Sequence, residues 1–274
     1  MVAVLYQQVT LTLDTLAMVW QRENLGELHN TLVDVPAWRD EAAEREALGG
    51  ATGELAQRGL LAGRDLHADL RDTLNLLARP SMEYYGWIAY TDEERGSVSI
   101  AVLVAAIGTD AVLVVRDGHQ VHIGPTRSEG MAETLIGHLP SVPAARGRSV
   151  NLPETEVRQL LADRMHDAPG AGKPLPSDAY NIFPRASMAE DARDLMTAMD
   201  QPRTGGGELY VAARGRSGER RRCENPVVYV DTQQGRWMTQ LSSGRPGERW
   251  IVSAPASRQL LLSKLNEMRN NILG

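Results

Sequence analysis

Apolar and polar positions along the chain follow two rhythms, and the points where one gives way to the other divide it into elements. Val9, Leu11 and Leu13 alternate with Thr10 and Thr12, the two-residue period of a half-buried strand. Asp14 is then expected to cap a helix carrying Leu16, Val19 and Trp20. Glu23–Pro36 reads as a loop leading to a second extended piece. A helix is expected from about Asp40 to Gln57, weakened by Gly49, Gly50 and Gly53 and closed by Gly59 and Gly63. Leu70, Leu74 and Leu77 fall on one helical face that ends before Pro80. Beyond it the period becomes two again. Tyr84–Tyr90, Val98–Ile107, Ala111–Arg116 and Gln120–Ile123 are rich in Val, Ile and Tyr and read as strands. Asp117-Gly118 marks a two-residue hairpin turn. Pro125 should end the last strand, and Met131, Leu135 and Leu139 predict a helix behind it.

The second half repeats this order. DLRDTLNLLARP (Asp69–Pro80) and DARDLMTAMDQP (Asp191–Pro202) place Asp, Arg, Asp and Pro at the same offsets. Helices are expected at Glu154–Met165 and Ala189–Met199, and strands at Leu209–Ala213, Val227–Val230, Arg236–Leu241 and Arg249–Ser253. Gln234-Gly235 and Ser243–Gly247 join the later strands, Pro255 closes the last, and Leu260, Leu261, Lys264, Leu265 and Met268 form a final helix. Helix, Pro, four strands, Pro and helix therefore occur twice. The expected fold is α+β, a pseudo-two-fold duplicated unit with a central, largely antiparallel sheet flanked by helices. It forms a single domain over 1–274 built from two similar halves, about 1–147 and 148–274. Ala168–Pro176, with its Pro and Gly, is the expected flexible segment.

Composition narrows the function classes. The 274 residues are 42% hydrophobic, enough for a substantial core, and the net charge of -6 argues against a dedicated DNA binder. A single cysteine, Cys223, excludes an internal disulfide framework and points to a reducing compartment. No apolar run reaches the roughly 18 residues of a membrane helix, and the N-terminus lacks the basic lead of a signal peptide. A cytoplasmic protein is expected.

The search for chemistry gives little support to catalysis. Gly170-Ala171-Gly172-Lys173 lacks the first glycine of a phosphate loop and has Pro174 in place of the magnesium-binding hydroxyl. Asp65, His67 and Asp69 at alternate helical positions would not converge on a metal, and Asp65 serves better as an N-cap. The six histidines show no ligand spacing, and no serine sits in a nucleophile elbow. Cys223 follows Arg220, Arg221 and Arg222, which could favour its thiolate; a lone structural cysteine is the simpler reading.

Two features suggest a surface that binds. ARGRSGERRRCE (Ala213–Glu224) sets five arginines in nine positions between two strands, against the acidic TDEERG (Thr91–Gly96) at the equivalent place in the first half. Solvated hairpin tips, the charged rim of a protein-binding surface, and a nucleic-acid site over 213–224 all fit. Five Trp and seven Tyr against one Phe favour aromatics that keep a polar handle. Tyr229 and Asp231 share a face of one strand, and Trp237 and Thr239 a face of its neighbour; core or surface is left open for Trp237.

LTLDTLAMVWQRENLGELHNTL with Trp20, the charged helix ending in Gln57-Arg58-Gly59-Leu60-Leu61, VVYVDTQQGRWMTQL (Val227–Leu241) and ERWIVSAPAS (Glu248–Ser257) resemble, in order and spacing, the EspG family. These are cytosolic chaperones of actinobacterial type VII (ESX) secretion. The resemblance covers nearly the whole chain. It implies a non-catalytic chaperone without cofactor or metal that binds PE–PPE heterodimers through the PPE subunit. Such a protein covers the apolar PPE tip, keeps it soluble and directs it to its cognate ESX system. It implies no nucleic acid and no membrane insertion, and leaves room for a weak homo-oligomer. Partner-binding residues carried over from the family's sheet surface are Tyr229, Asp231, Arg236, Trp237 and Thr239, with Arg220 and Arg222 at the rim. His29-Asn30 after Leu28, where many relatives have Pro, and the unusually basic arginine loop are departures.

Overall fold

The structure, a computed structural model, describes residues 4–33, 41–159, 201–243 and 248–274. The chain is α+β, with long antiparallel strands flanked by helices. Two compact units emerge, and they do not coincide with the two sequence halves. The first joins Met1–Pro140, Gly207–Glu224 and Leu262–Gly274; the second joins Ser141–Gly206 and Asn225–Leu261.

In the first unit, β1 (Val9–Thr12) runs into α1 (Leu13–Arg22), and α2 is Glu41–Gln57. A small ribbon, β2 (Leu61–Ala62) with β3 (Asp65–Leu66), leads to α3 (Ala68–Ala78). Four strands follow: β4 (Met82–Asp92), β5 (Gly96–Ile107), β6 (Asp110–Asp117) and β7 (Gln120–Arg127), then α4 (Met131–Gly137). Much later come β9 (Arg203–Arg214), β10 (Arg220–Arg222) and the last helix, α5 (Arg258–Leu273). The sheet order is β1-β7-β6-β5-β4-β9, with β10 paired to β9. From Ile100 to Ala106 β5 is buried without interruption, the pattern of a strand covered on both faces. One face carries Tyr85, Leu103, Ala105, Val112 and Val114 against leucines of α1 and α3. Leu70, Leu74 and Leu77 are buried as their spacing predicts.

In the second unit, β11 (Val227–Thr232), β12 (Gly235–Ser243), β13 (Arg249–Pro255) and β8 (Val150–Pro153) pair antiparallel in that order. Residues 154–159 are helical, and Glu154 holds both Arg158 and Arg249, at 2.8 and 2.6 Å. Along the chain, four long strands followed by a helix occur twice: β4–β7 with α4, then β9 and β11–β13 with α5. The expected helix at 189–199, with most of the echo of Asp69–Pro80, lies outside the described residues. So do 168–176, 244–247 and 160–165.

Local expectations are corrected in several places. Thr12 rather than Asp14 caps α1, its Oγ1 accepting from the Thr15 amide at 3.2 Å. Asp65 lies in β3, and His67 holds the N-cap position of α3 without a side-chain bond. The β6–β7 turn is Gly118-His119, with the positive φ at Gly118, the pattern of a turn whose first central residue is Gly. β7 continues through Pro125 to Arg127. Its pairing with β1 stops at Ile123, so Pro125 sits where one side of the strand needs no ladder donor.

Candidate partner-binding site

The sequence-selected residues fall in two places. Tyr229 and Asp231 on β11, with Arg236 and Trp237 on β12, are all buried in the second unit. Adjacent register positions bring Asp231 opposite Arg236. The pair is bidentate: Arg236 Nε donates to Asp231 Oδ1 at 2.6 Å and Nη2 to Oδ2 at 2.8 Å. The Arg236 guanidinium also lies 4.8 Å from the Tyr229 ring centroid. Burial, and then the neighbouring Asp231 carboxylate, push the Tyr229 hydroxyl well above its ordinary value.

Residues 143–147 cover Trp237. The Arg236 amide donates to the Pro143 carbonyl and its own carbonyl accepts from Ala145, clipping that segment over β12. A Cβ on Gly147 would come within 2.7 Å of the indole; this close approach is possible because the residue is glycine. Among the described residues the buried Trp237 Nε1 and Tyr229 hydroxyl make no hydrogen bond. Thr239 is half-buried, its hydroxyl 3.3 Å from Ser253 Oγ. Trp237 thus faces inward, because residues 143–147 pack on its strand face; the register sets it opposite Val230, on the other face from Tyr229, Asp231 and Arg236.

Arg220 and Arg222 belong to the first unit. The arginine stretch is not a loop throughout: Arg220–Arg222 pair with Arg214–Ala212 of β9 around a turn at 215–219. Alternation sends Arg220 and Arg222 to one face and Arg221 to the other. Arg220 grips Glu83 of β4, with Nε 2.9 Å from Oε1 and Nη2 2.6 Å from Oε2, while His29 Nε2 lies 3.2 Å from the same carboxylate. Burial alone would raise the Glu83 carboxyl, but hydrogen bonds from His29 and Arg220 overcome it and hold it at about 2. Arg221 pairs with Glu219 at 2.9 Å. Arg222 has no ion pair among the described residues and lies 5.3 Å from the Tyr210 ring centroid.

Cys223 is buried, and that burial raises its thiol despite the adjacent arginines; the thiolate reading loses to desolvation. The acidic tip is tempered as well: Asp92 caps the Glu94 and Arg95 amides, and Arg95 reaches Asp117 at 2.5 Å. Beside Glu83 is a cleft of about 450 Å³ lined by Leu25, Leu28, His29, Pro80, Arg214 and Arg220. No group of three or more His, Cys, Asp or Glu able to share a metal occurs among the described residues. Glu83, Trp87 and Tyr210 were not singled out by sequence, and His29 entered only as a departure from the family pattern, although Glu83, Tyr85 and Trp87 alternate on one strand face.

The EspG family model matches residues 12–267. The chain belongs to the EspG family. Among solved structures, this EspG-family chain is similar to the Mycobacterium tuberculosis type VII secretion system chaperone EspG5 in complex with PE25-PPE41 dimer. The TM-score is 0.68 at 15% identity, over 94% of each chain; at that identity the likeness is one of fold. No curated protein matches the chain. No described helix is long and apolar enough to cross a membrane.

Proposed function

We propose that this EspG-family protein is a non-catalytic secretion chaperone that binds a PE–PPE-type heterodimer in the cytosol. It covers the apolar tip of the PPE subunit, keeps it soluble, and directs it to its cognate ESX system. Family membership over 12–267, joined to the fold of a chaperone solved with a PE–PPE dimer, carries the reading. An apolar bundle tip left in water is an aggregation hazard, so covering it is a function in itself. Such a contact buries on the order of 800 Å² per partner. In the first unit Arg222 and the outer side of Arg220 reach the partner directly; in the second unit, taken by itself, Thr239 does so from β12. Tyr229, Asp231, Arg236 and Trp237 hold β11 and β12 in place from beneath.

Two of the arginines that suggested nucleic acid already have carboxylate partners, Glu83 and Glu219, which weakens that alternative. Co-expression with PE–PPE pairs encoded beside the gene tests the proposal. A stable ternary complex in size-exclusion chromatography is expected, and the PPE subunit should precipitate without the chaperone. Failure of every neighbouring pair to co-elute would sink it.

A further inference from the structure

The cleft beside Glu83, about 450 Å³, lies wholly within the first unit. Its volume is that of a small-molecule site. One wall is apolar, made by Leu25 and Leu28 after α1, Ala78 at the end of α3, and Pro80. The other is polar: Glu83, Arg214 and Arg220, with the exposed Glu27 at the outside. This polar wall is already ordered. Arg220 is clamped to Glu83 and lies 5.7 Å from the Tyr85 ring centroid. Tyr85 stacks on Tyr210 at 5.2 Å and 8°, and Trp87 stands edge-on to both, at 5.9 and 5.7 Å. Such a wall loses little further freedom when a ligand binds.

Arg214 is the incomplete member of that wall. Its amide donates to the Ser81 carbonyl at 2.9 Å, fixing it next to Pro80, and its Nη1 donates to the Gly218 carbonyl at 2.7 Å. The other edge of the guanidinium, Nε with Nη2, bonds nothing among the described residues, and Nε is buried. In two other arginines that same edge carries a carboxylate: Arg220 holds Glu83 with it, and Arg236 holds Asp231. Arg214 finds no such partner nearby. Glu83 is taken by Arg220 and His29, and Glu219 in the adjoining turn by Arg221. A buried N–H without an acceptor is a standing cost that a bound acceptor removes.

We infer that this cleft binds a small monocarboxylate with an apolar body. The carboxylate forks onto Nε and Nη2 of Arg214, and the hydrocarbon lies against Leu25, Leu28 and Pro80. A half-buried side chain held by one hydrogen bond turns that edge into the cleft at little cost. Charge selects the ligand. Arg220 neutralises Glu83, which leaves Arg214 positive and Glu27 negative without ion-pair partners among the described residues. Glu27 is exposed and screened by solvent, so the half-buried guanidinium dominates. A phosphate would bring a second charge towards Glu27 and leave the apolar wall unfilled. The site is separate from client binding and does not depend on the chaperone reading.

The test titrates the full chain, without client, with hexanoate, acetate and inorganic phosphate in a calorimeter. Hexanoate is expected to bind saturably and at least about tenfold more tightly than acetate, since each buried methylene is worth about fourfold. Arg214→Gln should weaken hexanoate binding by about tenfold to a hundredfold. Ala78→Met fills the cleft without touching the guanidinium and should weaken it by at least about tenfold; it decides the matter if Arg214→Gln does not fold. Glu27→Gln, which removes a like charge, should tighten it by about twofold to fivefold. No saturable binding to wild type would overturn the site, as would affinity within about threefold of wild type in either folded cleft variant. Acetate or phosphate binding as tightly as hexanoate, or a loss of affinity in Glu27→Gln, would overturn the ligand class. No PE–PPE protein enters the titration, so neither result bears on the chaperone reading.

Discussion

Arg220 and Glu83, 137 positions apart in sequence, meet in a forked ion pair that closes the first unit of the fold. The carboxylate is almost wholly buried and is shared with His29. Its acidity makes the pair measurable. The folded value of about 2 lies below the ordinary 4.5, so this stabilisation is complete above pH 4.5 and disappears as pH falls towards 2. The linkage is worth on the order of 3 kcal/mol. Urea titrations between pH 6 and pH 2 should show wild type losing that much more stability than Glu83→Gln. Parallel curves for the two proteins would mean that Glu83 does not carry the acid sensitivity.

Asp231 and Arg236 form the corresponding pair in the second unit, buried on both sides. Asp231→Asn leaves a buried guanidinium without its counter-charge and should cost about 3–5 kcal/mol. Guanidinium unfolding followed by tryptophan fluorescence reads this directly, because Trp237 is the next residue along β12. A loss below about 1 kcal/mol would contradict the burial described here.

Gly86 of β4 lies hard against β9. A Cβ there would lie 2.4 Å from the Glu208 carbonyl oxygen and 2.9 Å from Leu209 Cδ2. The backbone of one strand or the other must move to admit it. Gly86→Ala should destabilise by about 1–3 kcal/mol, seen as a lowered melting temperature in calorimetry. An unchanged melting temperature would place the two strands farther apart.

Cys223 should behave as an inert thiol. Buried, and with its pKa held above the ordinary value by that burial, it is expected to react with Ellman's reagent at least about a hundredfold more slowly in the native protein than in guanidinium. Equal rates in the two states would show the thiolate to be exposed.

Strands and helices whose pattern depends on near neighbours were legible in the chain. β4 to β7 and α3 stand where alternation and the Leu70–Leu74–Leu77 spacing put them. What failed depends on distant segments. Pro125 continues a strand because β1 stops pairing two residues earlier, a fact no local pattern around Pro125 contains. Trp237 reads equally well as core or surface until residues 143–147 are seen to lie over it. The arginine run looks like a solvated tip because nothing near it in sequence is Glu83. Two of its charges are neutralised by carboxylates, one of them from a strand in the other half of the chain. The family could be recognised from the order of its parts, whereas the exposed residues of its surface required the third dimension.

The first unit is assembled from three separate pieces of chain, and this has a consequence during synthesis. At roughly 5–20 residues per second, about 7–27 s pass between the emergence of Glu83 and that of Arg220. Throughout that interval β4 lacks β9 along one side, and Tyr85 and Trp87 lack Tyr210. A nascent chaperone of this design is itself, for some seconds, a polypeptide with an open sheet edge and uncovered aromatics. It passes through the hazard from which, in the reading proposed above, it later protects its client.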